Sequence, residues 1–266
     1  MWIDSHCHLN HTNIEGLGSP EDLVKNARDN GVDGMVIICC RIHEEMDDLL
    51  QICDNNRNVW CSVGTHPHDA SNKNEQKITT EEIIEIANNN PKVIGVGESG
   101  FDYYYKNSEP EDQKASFIKH IHAGKETGLP LIIHTRDAEE DTYNTLKAEG
   151  ACDGKTKVVM HCFSSNEWLA QKSIDEGFMM SFTGMITFKK LQWLRDIAKK
   201  VPLDQVMIET DSPYLSPEPH RGQTNQPANV RFTGQYMADL YNLTEQEFAA
   251  QTTKNFFNFF DKAKQD

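Results

Sequence analysis

The sequence predicts the α/β class, and within it a single (β/α)8 barrel with extra C-terminal helices, formed by residues 1–266 as one domain. Three observations predict it. Eight short apolar runs recur along the chain, helix-like segments separate them, and the runs are continuous rather than alternating. Continuous β-branched runs of this length are what parallel strands covered on both faces require. Strand, helix, strand repeated eight times is the pattern of a closed barrel, and such barrels typically need about 250 residues.

In order, the runs are MWID at 1–4, GMVIIC at 34–39, VWCSVG at 59–64, VIGVGE at 93–98, LPLIIH at 129–134, KVVMHC at 157–162, FMMSF at 178–182 and VMIET at 206–210. Between the first two lies SPEDLVKNARDNG. Ser19 suits the N-cap, Pro20 the first helical position, the acids the first turn, and Gly31 the left-handed C-terminal position. Further helices are expected at 79–90, 110–128 and 166–177. After the last run comes a Pro-rich loop at 212–227, long enough to suggest function, and then helices near 228–241 and 244–262. No shift in composition marks a second domain.

The 41 acidic residues against 26 Lys and Arg leave a formal charge of −15, so non-specific attraction to a polyanion is disfavoured and any nucleic-acid chemistry needs a local positive site. Hydrophobic residues at 38% and twelve Phe supply a core, while no apolar run approaches the roughly 18–20 residues of a membrane span. Seven Cys, an odd number without a CxxC pair, argue against a disulfide framework or zinc ribbon. The start, MWIDSHCHLN, lacks the features of a secretory signal, so a cytosolic (cytoplasmic) location is expected. No protein partner is evident.

Chemistry-bearing residues sit where these runs end. Asp4, His6 and His8 follow the first, and His6 and His8, two apart, project the same way in an extended chain. Glu98, His134, His161 and Asp211 close later runs. In a barrel those ends converge on one face, the face that carries active sites. Four imidazoles and two carboxylates would suit two divalent ions sharing a carboxylate bridge. A lone His at a strand end is more often structural, and a buried Glu98 or Asp211 would ordinarily pair with Arg or cap a helix. The reading therefore rests on the set.

IDSHCHL, GTHPHDA, GESGFDYYY, IIHTRDA, HCFSS and IETDSPYLSPEPHRGQTNQP, running from residue 3 to residue 227, resemble in order the signature blocks of the TatD-type metal-dependent hydrolases, a branch of the amidohydrolase-like TIM barrels. The resemblance implies a divalent-metal-dependent hydrolase, commonly a deoxyribonuclease or 3′-5′ exonuclease that cleaves DNA phosphodiesters with water activated by two metals. It implies that His6, His8 and Asp211 hold one ion, His134 and His161 the other, and that Glu98 bridges them. Asp211 is then the residue expected to move the proton, with Glu98 also in the catalytic set. Mg²⁺ or Mn²⁺ is the expected working ion, and Zn²⁺ or Ni²⁺ also suit His-rich ligation. DNA ends or single-stranded nucleic acid would be the substrate. In the same likeness Ser165 stands where glycine is usual, and Gln223, Thr224 and Gln226 replace residues that are commonly basic or, at the last, acidic.

Around this set, His66 could donate to a phosphate oxygen or shape the loop before Pro67. Arg221 and Asn225 could hold a substrate phosphate or anchor the long loop. Arg136 leans toward an ion pair with Asp137. Tyr103, Tyr104 and Tyr105 could stack a base or pack against the next helix. Asp102 reads as a supporting residue, and His43, His120 and His122 as solvated or packing residues. Two other functions stay open: hydrolysis of a carboxylic or aminoacyl ester or amide on the same centre, and a non-catalytic barrel that binds nucleic acid or a partner.

Overall fold

A computed structural model describes residues 1–264. Eight strands, β1 (Trp2–Cys7), β2 (Val32–Ile37), β3 (Val59–Val63), β4 (Val93–Asp102), β5 (Leu131–Arg136), β6 (Val158–Met160), β7 (Met179–Phe182) and β8 (Val206–Ile208), pair in parallel in chain order. The circle is closed between β1 and the segment just beyond β8: the Asp211 N–H donates to the His6 carbonyl and the His8 N–H to the Ser212 carbonyl, both at 2.9 Å. The helices are α1 (Pro20–Asp29), α2 (Ile42–Asn55), α3 (Lys73–Lys77), α4 (Thr80–Asn89), α5 (Pro110–Thr127), α6 (Glu139–Ala148), α7 (Glu167–Asp175), α8 (Gln192–Ala198), α9 (Val230–Leu240) and α10 (Glu245–Phe259). The α1 start is as its sequence requires: Ser19 and Asp22 cap one another reciprocally, with Pro20 at the first turn. No helix among the described residues is long and apolar enough to cross a membrane.

Two apolar layers follow from the alternation of side chains along each strand. One lies between sheet and helices. The other fills the barrel, taking Ile3, Val36, Trp60, Ile94, Ile132, Val159, Met179 and Met207 from the strands and Ile38 from just past β2. Phe256, Phe259 and Phe260 of the C-terminal segment complete that inner cluster. Lys157, just ahead of β6, donates to the Asn258 and Phe259 carbonyls, which places α10 across the end of the barrel opposite the strand carboxyl ends. The end of α10 and the residues after it thus plug the bottom, while α9 packs in the outer layer.

The strands depart from expectation at two ends that matter. β1 runs on to Cys7, so His6 lies within it, and β4 continues to Asp102 rather than ending at Glu98. Pairing of β4 with β5 shifts register between Gly97 and Ser99. An irregularity of this kind re-aims a side chain, and here it falls on Glu98. Gly97 is required there: its φ is +135°, and a Cβ would lie 2.3 Å from the Ile132 carbonyl oxygen.

Candidate metal centre

Glu98, 2% exposed, is the hub of the mouth. Its Oε1 lies 2.7 Å from His134 Nδ1, 2.9 Å from His161 Nε2 and 3.4 Å from His66 Nε2, and its Oε2 lies 3.3 Å from His6 Nε2. Burial alone would push this carboxyl up, but the surrounding imidazoles, His161 and His66 foremost, hold it well below the usual carboxylate range. On the β1 side, Asp211 Oδ1 is 3.4 Å from His8 Nε2 and 3.8 Å from His6 Nε2. Asp211 adopts φ +53°, a left-handed conformation that Asp tolerates better than most residues, and one that is a common mark of functional sites. Its carboxyl also sits below its ordinary range: burial opposes ionisation, but the His8 hydrogen bond and neighbouring imidazoles outweigh it.

A second ring of acids fixes the imidazoles. Asp102 Oδ2 accepts from His68 Nε2 at 2.9 Å and from His134 Nε2 at 3.2 Å. Glu209 Oε1 accepts from His161 Nδ1 at 3.0 Å, and from the Cys162 N–H at 2.6 Å, while its Oε2 takes the Ser181 hydroxyl at 2.6 Å. Asp4, buried beneath, accepts from the backbone and hydroxyl of Thr210 and ties the end of β1 to the segment carrying Asp211. Asp102 fills the supporting place expected of it. Glu209 and His68 were not anticipated. The only signal for Glu209 was an acid two residues before Asp211 in IETD, and its partner is 48 residues away in sequence.

Does this donor set fit cations? Burial opposes charge on His134 and His161, but the carboxylates beside them push both pKa values up. With the Nε2 proton of His134 committed to Asp102 and the Nδ1 proton of His161 to Glu209, the proton that each ring then holds toward Glu98 stands where a cation would bind. Two acceptors opposed at 2.7 and 2.9 Å are stable only with a proton or a cation between them. His6 gives an independent sign: it is 1% exposed, yet neither ring nitrogen has a hydrogen-bond partner. Such a buried, unpartnered ring is costly unless a ligand engages it. Ligand atoms of His6, His161 and Asp211, of His6, His8 and Glu98, and of His66, Glu98 and His134 lie close enough in each trio to share one ion. The residues fit divalent cations.

His66 differs from the other imidazoles. Its Nδ1 accepts the His68 N–H at 3.1 Å, so the proton of the neutral ring is on Nε2, the nitrogen that faces Glu98. Burial pushes its pKa down to about 4, which keeps the ring neutral. In that tautomer the nitrogen facing Glu98 carries a proton, so His66 would have to change tautomer to serve as a ligand in its trio. Arg221 is exposed at the rim, its guanidinium 4.2 Å from the Phe188 ring centroid. Of the two expectations for Asn225, a substrate contact or an anchor for the long loop, its hydrogen bonds match the anchor. It is fully buried, its amide donates to the Thr210 and Tyr214 carbonyls, and its oxygen accepts from Gln226 N–H and the Asn229 side chain. Every polar atom of that side chain is spent on folding the 212–227 loop. Arg136 also differs from expectation: among the described residues no ion pair joins it to Asp137, and it lies over the Tyr104 and Tyr105 rings. Tyr103 is the structural member of the Tyr run, donating its hydroxyl to Asp141 at 2.7 Å.

Comparison with known proteins identifies the relatives of this chain. The family described as TatD related DNase matches residues 3–261. A protein of Escherichia coli (strain K12) named uncharacterized metal-dependent hydrolase YcfH is 40% identical over 261 residues, covering 97% of this chain and 95% of that one. A protein of Shigella flexneri serotype 5b named 3′-5′ ssDNA/RNA exonuclease TatD is 30% identical over 258 residues, covering 95% of this chain and 96% of its own. Among solved structures, that of YJJV, a TatD homologue from Escherichia coli K12, superposes with a TM-score of 0.87 at 24% identity and 98% coverage of both chains.

Proposed function

Because this chain belongs to the TatD-related DNase family of metal-dependent hydrolases, we propose that it is a deoxyribonuclease that removes nucleotides from the ends of DNA, 3′ to 5′, with single-stranded ends as the preferred form. The observation that carries the proposal is the buried Glu98 carboxylate ringed by His6, His66, His134 and His161. The exonuclease name of the Shigella relative supports the substrate class.

His6, His8 and Asp211 would hold one divalent ion and His134 and His161 a second, with Glu98 between them. When bound, such ions supply Lewis acidity toward a phosphoryl oxygen and make water a better nucleophile near neutral pH. Asp211, ionised and at the mouth, accepts the proton of the attacking water and returns it to the leaving oxygen. His66, neutral with its proton on Nε2, donates to a non-bridging phosphate oxygen. Arg221 at the rim supplies a cation for the incoming backbone in a chain that is otherwise strongly acidic. Asp102 and Glu209 keep His134 and His161 in the tautomers that point lone pairs inward. The seven free cysteines support a reducing, cytoplasmic setting.

The test is product release. The protein, loaded in turn with Mg²⁺, Mn²⁺, Zn²⁺ or Ni²⁺, is assayed for mononucleotides from single-stranded DNA labelled at either end, and in parallel for cleavage of a simple carboxylic ester. Mononucleotides shed from the 3′ end are expected. Ester cleavage without nucleotide release under any metal would overturn the proposal in favour of carbon-centred hydrolysis.

A further inference from the structure

Tyr104 and Tyr105 are among the most exposed large apolar side chains of the protein, at 56% and 52%. They are not loose. Their rings stand at right angles with centroids 4.9 Å apart, and the Arg136 guanidinium, from the end of β5, lies 4.2 and 4.6 Å from the two centroids. The turn that carries them is pinned at its base: Asp102 Oδ1 accepts the backbone N–H groups of Tyr104 and Tyr105 at 3.0 and 2.8 Å. The other oxygen of that same carboxylate orients His134. The Tyr105 ring meets the edge of His68 at 5.2 Å, and His68 lies 6.2 Å from His134. One acid therefore sets both an aromatic surface and a candidate metal ligand, so their separation is fixed by the scaffold.

Across the mouth stands a third exposed Tyr, Tyr214, 46% exposed, its hydroxyl 2.9 Å from His11 Nε2. Burial, and after it the Asp211 charge, push that phenol up. Three exposed rings thus follow strands on opposite sides of the circle, Tyr104 and Tyr105 after β4 and Tyr214 after β8. An exposed Tyr ring backed by a guanidinium is suited to a nucleobase whose phosphate is drawn to the same place, because every base has a π face and Arg adds charge attraction.

We propose that Tyr104, Tyr105 and Arg136 form a stacking platform for a base next to the scissile phosphodiester, and that this platform selects unpaired ends. The inference rests on the nuclease reading above. A base held in a duplex stack must first be freed before it can lie on the rings, so a frayed or single strand is favoured.

The probe is a single-stranded oligonucleotide with 2-aminopurine near its 3′ end and phosphorothioate linkages that resist cleavage, bound to the metal-loaded full chain. A matched oligonucleotide carries an abasic site at the 2-aminopurine position. Wild-type protein is expected to quench the 2-aminopurine on binding and to hold the abasic strand about tenfold more weakly. The Tyr104→Ala/Tyr105→Ala pair should lose the quenching, bind the intact strand about tenfold more weakly, and no longer distinguish it from the abasic one. Tyr104→Phe/Tyr105→Phe should keep all three properties. The abasic comparison in wild-type protein needs no substitution and so does not depend on a variant folding. Equal affinity for intact and abasic strands, or quenching untouched by the alanine pair, overturns the platform and leaves the nuclease reading standing. Wild-type protein that neither binds nor cleaves any oligonucleotide overturns the nuclease reading and the platform with it.

Discussion

Glu209 holds His161 by its Nδ1–H at 3.0 Å and thereby turns Nε2 toward Glu98 at 2.9 Å. The carboxylate touches neither Glu98 nor Asp211, yet it decides which nitrogen of His161 offers a lone pair to the mouth. Glu209→Gln is expected to leave the barrel folded and to weaken cation binding by about 10- to 100-fold, with turnover falling in step. Metal content per chain, measured after dialysis against a graded series of chelator concentrations, checks this. Wild-type retention of metal would show that His161 is oriented by packing alone.

Asp211 reaches the site in a strained backbone conformation and stays ionised among imidazoles. Asp211→Asn should lower turnover on single-stranded DNA by about 10²- to 10⁴-fold while oligonucleotide binding persists. Metal analysis of the same preparation separates a lost proton acceptor from a lost ion. Near-normal turnover with metal retained would remove Asp211 from the proton-transfer role.

Gly97 permits the register shift that aims Glu98. Gly97→Ala must adopt a strained φ and drive a methyl into the Ile132 carbonyl oxygen, a cost on the order of 3 kcal/mol or more. Gly16→Ala, where a Cβ meets nothing within 4 Å, is the control and should change stability by no more than about 0.5 kcal/mol. Urea midpoints of the two variants should differ widely; similar midpoints would mean that β4 absorbs the methyl without loss.

His120 supplies a pH dependence away from the mouth. It is buried, donates Nδ1–H to the Ser116 carbonyl at 2.7 Å and accepts the Thr65 N–H on Nε2 at 2.9 Å, so the folded protein requires the neutral ring. Burial pushes its pKa from 6.5 to about 4. Between those values the unfolded chain binds a proton that the folded chain refuses. Stability is therefore full above about pH 6.5, falls as the pH drops through the window, and levels off below about pH 4, with a total loss on the order of 3 kcal/mol. His120→Gln, which keeps an acceptor but does not titrate, should show a shallower decline in urea midpoint between pH 7 and pH 4. Parallel profiles for the two proteins would refute the assignment.

Much of the architecture was written in local pattern. Strands buried on both faces must be apolar throughout, so they stand out as runs, and a polar residue tolerated at the end of such a run is conspicuous. His134 and His161 could be picked out for that reason, as could the caps of α1. Glu98 was found for a partly different reason than its position warranted, since β4 does not end there but shifts register around it. Asn225 and Arg221 looked alike in a loop sequence. One proved to be wholly enclosed and the other exposed.

The sequence by itself pointed to a barrel and to His6, His8, Glu98, His134, His161 and Asp211 at the ends of its strands, because burial on both faces and side-chain alternation act over a few neighbouring residues. Only the tertiary structure decided which nitrogen of each ring faces inward, that Glu209 and Asp102 impose that choice, and that Tyr104 and Tyr105 remain open to solvent with Arg136 across them. A tautomer is set by the hydrogen bond on the far side of the ring, and an exposed face by what fails to cover it. Both depend on residues brought together from distant parts of the chain.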